Sequence, residues 1–130
     1  MYITDVQRDT IIAHVRREAP NEACGVLAGT SQRVEKVYEM INTDKSSRTF
    51  FMEPKKQLKV MKEIRNSGLE MVGVYHSHLE TEAYPSARDV ELAYYPEASY
   101  VIISIKDKDN PNIRSFKITD GNIKEEELKI

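Results

Sequence analysis

One cysteine, Cys24, stands in the whole 130-residue chain. That excludes an internal disulfide and fits a reducing compartment. No apolar run approaches the ~20 residues needed to cross a bilayer. The opening Met1-Tyr2-Ile3-Thr4-Asp5 lacks the basic start and apolar stretch of a secretory signal. These absences predict a cytoplasmic protein with no membrane partner. One-sided charge is missing too: 19 basic residues face 21 acidic ones, for a formal net charge of −2. No Lys/Arg stripe advertises nucleic acid. The densest charge run, Lys124-Glu125-Glu126-Glu127, reads as a solvated strand or tail.

What remains is a soluble globular profile, 40% hydrophobic and 31% charged. Its length fits one domain, residues 1–130, able to build a core without staples. Thr4 with Gln7 three residues on reads as a capping box, opening a helix that Pro20 ends. Val6, Ile11, Ile12 and Val15 are its expected buried side, and His14 is expected at the surface. Residues 23–29, a short apolar run closed by glycine, suit a buried strand. Strands are also expected at residues 33–41 and 48–52. Pro54 starts a helix carrying Leu58, Met61, Ile64 and Arg65 at helical spacing, and Gly68 stops it. A central strand follows at residues 69–78, then a polar loop and a helix from Ser86 to about Tyr95, ended by Pro96. A strand at 99–105 and a hairpin around Asp120-Gly121 complete the order. The class is α/β, a mixed sheet flanked by helices.

The chemistry concentrates between His76 and Asp89. On a strand, residues i and i+2 share a face, so His76 and His78 project side by side. Asp89 falls in the first turn of the next helix, where the helix dipole favours a carboxylate. Two imidazoles and a carboxylate are the ligand set of an open zinc site, with water as the fourth ligand. Taken singly, each part has a plainer reading: a capped or surface histidine, and a capping box for Ser86 with Asp89. Their conjunction favours a metal, because no cap explains His-x-His and a polar pair on an apolar strand needs partners.

His76-x-His78, ten further residues, and Asp89, with Ser86 three before it, resemble the JAMM (MPN+) metalloprotease signature. The upstream glutamate of that signature is matched by Glu22, ahead of Ala23-Cys24-Gly25-Val26-Leu27-Ala28-Gly29. The likeness extends through Phe50-Phe51-Met52-Glu53-Pro54, Val72-Gly73-Val74-Tyr75 and Ser99-Tyr100-Val101-Ile102-Ile103-Ser104, over about residues 1 to 118. One departure stands out: the family has proline after the second histidine, here Leu79, which removes no ligand.

The resemblance implies a fold similar to cytidine deaminases and one Zn2+ per chain, held by His76, His78 and Asp89. It assigns Glu22 as general base and Ser86 as a donor to the oxyanion. It implies a small peptidase that cuts after the C-terminal Gly-Gly of a ubiquitin-like sulfur carrier of the ThiS/MoaD type, and it leaves a homodimer open. Two rivals remain: an MPN scaffold of the metal-free type that only binds partners, and a RadC-like protein. Cys24 reads first as a small buried hydrophobe, and otherwise as a thiol beside the site. Tyr84, Tyr94 and Tyr95 read as core, with contact to a substrate groove as the alternative.

Overall fold

The computed structural model describes residues 1–130. Helix α1 (Asp5–Glu18) opens on the Thr4/Gln7 capping box, both halves of which form. Strands β1 (Cys24–Thr30) and β2 (Arg33–Met40) follow, then α2 (Pro54–Asn66), which has Pro54 in its first turn and Glu53 as its cap. Next come β3 (Glu70–His78), α3 (Ala87–Glu91), β4 (Ser99–Ser104), β5 (Asn112–Thr119) and β6 (Asn122–Glu126). Asp120 and Gly121, both at positive φ, make the β5–β6 turn.

The six strands form one mixed sheet in the order β2-β1-β3-β4-β5-β6. Only β3 and β4 run parallel; every other pair is antiparallel. The crossover from β3 to β4 carries α3, so the carboxyl end of β3 opens onto a loop and a helix start. Ligands favour such a place in sheets with parallel strands.

Alternation along the strands separates two cores. Cys24, Val26, Val74, Ile102 and Phe116 pack beneath Val60 and Ile64 of α2. Leu27, Tyr75, Val101 and Ile103 pack on the other face, beneath Ile11 and Val15 of α1. Gly25 is fixed by this second layer, since a Cβ there would fall 2.0 Å from the Tyr75 ring.

Four expectations are corrected. His14 is buried, not exposed, while Val6 is 74% exposed. The buried stripe of α1 runs through Ile11, His14 and Val15 and passes Val6 by. Residues 48–52 form no strand beyond an isolated bridge from Met52 to Asn42. The Asn42 side chain there takes the amides of Asp44 and Phe51, groups a strand ladder would use. Finally, α3 ends at Glu91, well short of Tyr95, whose amide turns to the Tyr100 hydroxyl.

Candidate metal centre

His76 and His78 lie on the last turn of the β3 pleat, and the ring atoms His76 Nε2 and His78 Nε2 approach to 3.2 Å. Asp89 Oδ2 lies 3.1 Å from each of them. Ligand atoms held tetrahedrally at ~2.0–2.1 Å from one zinc sit about 3.3 Å apart. The triangle therefore has nearly the size that one metal ion imposes, and these are the three residues of the chain grouped so that they could hold one.

The surroundings set the protonation of the donors. His78 Nδ1 faces the Glu82 carbonyl at 2.8 Å. A carbonyl only accepts, so Nδ1 carries a hydrogen; Nε2 donates to Asp89 when the ring is protonated and offers a lone pair to a metal when it is neutral. Nε2 faces a carboxylate oxygen and a second imidazole, an arrangement suited to a cation in the middle. Burial alone would raise the Asp89 pKa. Hydrogen bonds to both imidazoles and from the Ser86 amide instead hold its carboxyl well below the usual range. Burial alone would lower His78, but its bonds to Asp89 and Glu82 and the nearby carboxylates raise it overall. Phe50 stacks on His76, ring centroids 4.7 Å apart and 25° from parallel, which fixes the ring and keeps water off that side.

Glu22 stands two residues ahead of β1, buried, in the cleft lined also by His76 and Asp89. Its backbone is clamped from both sides. The Glu22 amide donates to the Ser46 carbonyl at 2.7 Å, and Asn42 Nδ2 donates to the Glu22 carbonyl at 3.0 Å. Ser77, between the two histidines, accepts from the Ala23 amide at 2.8 Å and so ties the glutamate's strand to theirs. Burial pushes the Glu22 carboxyl up to about 7, with His78 opposing and Asp89 reinforcing the shift.

Glu22, His76, His78 and Asp89 thus converge. Ser86 is brought to the same helix start but not into the cleft lining: it is exposed, and its Oγ accepts from the Asp89 amide at 3.1 Å. Cys24 is a core residue whose thiol is pushed up to about 12 by burial and the neighbouring Glu22. Tyr84, Tyr94 and Tyr95 are exposed by 46%, 70% and 37%. Tyr94 and Tyr95 line an apolar groove with Phe51, Met52 and Met71, and the groove shares Phe50, Leu92 and Tyr100 with the metal cleft.

Asn42, Ser77, Arg48 and Arg88 went unmarked in the sequence, and Phe50 stood only in a stretch that carries the family likeness. Only Ser77, lying inside His-x-His, carried a local signal.

Residues 5–119 match the model of the family described as prokaryotic homologs of the JAB domain. A CysO-cysteine peptidase of Mycobacterium tuberculosis is 39% identical over 135 residues, covering 100% of this chain and 92% of the relative. A desampylase of Haloferax volcanii is 36% identical over 104 residues, 75% of each chain. Among solved structures, one from Desulfitobacterium hafniense superposes with a TM-score of 0.87 at 41% identity, covering 98% of this chain and 90% of that one. A JAB1/MPN domain protein from Archaeoglobus fulgidus shares the fold, with a TM-score of 0.67 at 18% identity over 99% and 97% of the two chains.

Proposed function

The chain belongs to the prokaryotic homologs of the JAB domain, and from that premise we propose that it is a zinc peptidase acting on a ubiquitin-like sulfur carrier. The observation that carries the reading is the triangle of His76 Nε2, His78 Nε2 and Asp89 Oδ2, 3.1–3.2 Å on each side. The donor set fits zinc: two imidazoles, one of them oriented through a backbone carbonyl, and a carboxylate. Held by His76, His78 and Asp89, a zinc ion would supply a Lewis acid for the scissile carbonyl and acidify water in the cleft.

The residues of the chain do the rest. Glu22 has a carboxyl near 7 and no protein hydrogen bond on its side chain, so it is free to take a proton from water in the cleft. It then hands that proton to the leaving amine as the C–N bond breaks. The backbone clamps from Ser46 and Asn42 keep it in place without engaging its oxygens. Ser86 Oγ accepts from the Asp89 amide, which leaves its hydroxyl hydrogen for the carbonyl oxygen as charge develops there. Phe50, stacked on His76, shields one side of the cleft.

The substrate class rests on the relatives and on the surface beside the site. The M. tuberculosis and H. volcanii relatives are named a CysO-cysteine peptidase and a desampylase. The apolar groove continuing from the cleft past Phe51, Tyr94 and Tyr95 gives the body of such a carrier a place to seat. Two terminal glycines let the tail approach the metal closely. The test uses a ThiS/MoaD-type carrier extended by a short peptide after its Gly-Gly, with the products weighed by mass spectrometry. Release of the intact carrier ending in Gly-Gly is expected. Cutting elsewhere, or equal rates on an unrelated unfolded protein, would contradict the carrier specificity.

A further inference from the structure

We propose that Ser104 is a positioning residue for the metal, its hydroxyl holding the loop whose Glu82 carbonyl orients His78; the inference rests on the zinc reading above. Ser104 ends β4 and lies opposite His78, the end of β3, in the parallel register of the two strands. It is buried, and its Oγ donates to the Thr81 carbonyl at 2.6 Å while accepting from the Lys106 amide at 3.2 Å. Thr81 adjoins Glu82, whose carbonyl takes the His78 Nδ1 hydrogen at 2.8 Å. A metal-binding imidazole is aimed by the partner of its other nitrogen. Whatever places that carbonyl therefore places the ligand.

The loop has few other ties. None of the amides from Leu79 to Ala83 donates to a backbone carbonyl, and Glu80, Thr81 and Glu82 are exposed. Two carbonyls do the holding. That of Thr81 takes the Ser104 hydroxyl, and that of Glu82 takes His78 and the Tyr84 amide. The His78 bond cannot anchor its own partner, so the hydrogen bond that ties this stretch to the sheet independently of His78 is the one from Ser104. Downstream, Ala83 enters the core and Tyr84 rests edge-on against Phe116, ring centroids 5.4 Å apart. Packing at Ala83 sets the depth of the loop. The bond at Thr81, on the other side of Glu82, sets the rotation of its backbone.

Leu79 makes that hold matter. The family has proline at this point, and a proline ring would fix φ where the chain leaves β3. With Leu79 there, the start of the loop is free to swing and the restraint falls to Ser104. Proline would also fit: the Leu79 amide makes no backbone bond, its φ is not positive, and His78 before it is extended.

The test measures the zinc Kd of the full chain by competition with a chromogenic chelator, a readout independent of turnover. Ser104→Ala should weaken zinc by about 10-fold, the lower end of what losing a ligand's hydrogen-bond partner costs. Ser104→Cys, close in size but only a weak donor, should shift the same way and serves if the alanine variant folds poorly. Ser115→Ala is the control, because Ser115 is a buried serine of the same sheet that donates to Glu126 at 2.9 Å. Its zinc Kd should stay at the wild-type value. Leu79→Pro added to Ser104→Ala should recover most of the lost affinity. An unchanged Kd in folded Ser104→Ala, an equal loss in Ser115→Ala, or no recovery with Leu79→Pro would overturn this inference and leave the zinc reading standing. A wild type that binds no zinc would overturn both.

Discussion

The chain has three histidines, and they divide between the two faces of β3. His14 is 1% exposed, His76 3% and His78 6%, so burial does not distinguish them. What each ring meets does. Beneath α1, His14 Nδ1 and the Tyr75 hydroxyl lie 2.6 Å apart inside an apolar layer, and Glu18 stands 3.8 Å from the other nitrogen. That pair is closed, each group answering the other. Across the strand, His78 is anchored at Nδ1 by a carbonyl and aims Nε2 at a carboxylate and a second imidazole. A buried histidine whose polar atoms answer each other belongs to the fold, while one held from behind and facing more donors is built to hold a cation.

The largest effect that would break this contrast comes from the donors themselves. Asp89→Ala or His78→Ala should abolish both metal binding and cleavage, whereas His14→Gln should keep a full equivalent of metal by elemental analysis. A His14 variant that loses metal while still folded would end the distinction. Glu22→Gln comes next: turnover should fall by about 10²–10⁴-fold with metal content unchanged. Loss of metal in that variant would make Glu22 a ligand and not a base.

Stability sharpens the comparison further, because the two faces respond to pH with opposite sign. Glu22 in the metal-free protein has its pKa raised from 4.5 to about 7 by burial, so the folded state holds the proton more tightly. Its contribution is present below pH 4.5 and is lost as pH rises through 7. Metal-free Glu22→Gln should therefore be more stable than the wild type at pH 8, by about 3 kcal/mol. Burial lowers His14 below its ordinary 6.5, the opposite case. Its contribution is present above 6.5 and is lost as pH falls towards the folded value. Tyr75→Phe removes the His14 partner and should cost about 1–2 kcal/mol in denaturant melts, with metal content untouched. The smallest effect concerns Cys24: buried, with its thiol pushed up to about 12, it should resist iodoacetamide at pH 8 in the folded protein.

These contrasts also mark what could be read without coordinates. The His76/His78 pair and both capping boxes are local, two or three residues apart, and period and cap chemistry suffice for them. The burial of His14 was within reach, since it lies three residues after Ile11 and beside Val15. The flanking Arg16 and Arg17 drew it wrongly to the surface. The β1–β2 turn hid its geometry because Ser31 and Gln32 take positive φ with no glycine to announce it. Residues 48–52 read as a strand by composition. Their course is set by Asn42, whose amide donates to the Glu22 and Thr49 carbonyls while its oxygen accepts from Asp44 and Phe51. Such a hub is invisible to periodicity. Glu22 itself stood out only through the family resemblance, because its meeting with His76 depends on β1 and β3 pairing across fifty residues of chain.

The central claim is that one zinc ion joins His76, His78 and Asp89 and that cleavage depends on it. The direct measurement is a zinc titration of chelator-stripped protein, following bound metal and cleavage of a carrier extended past its Gly-Gly in the same samples. The account predicts that activity rises with zinc and saturates at one equivalent per chain, and that Asp89→Ala neither binds nor cleaves. Full cleavage by the stripped wild type, or zinc retained by Asp89→Ala with activity intact, would contradict it.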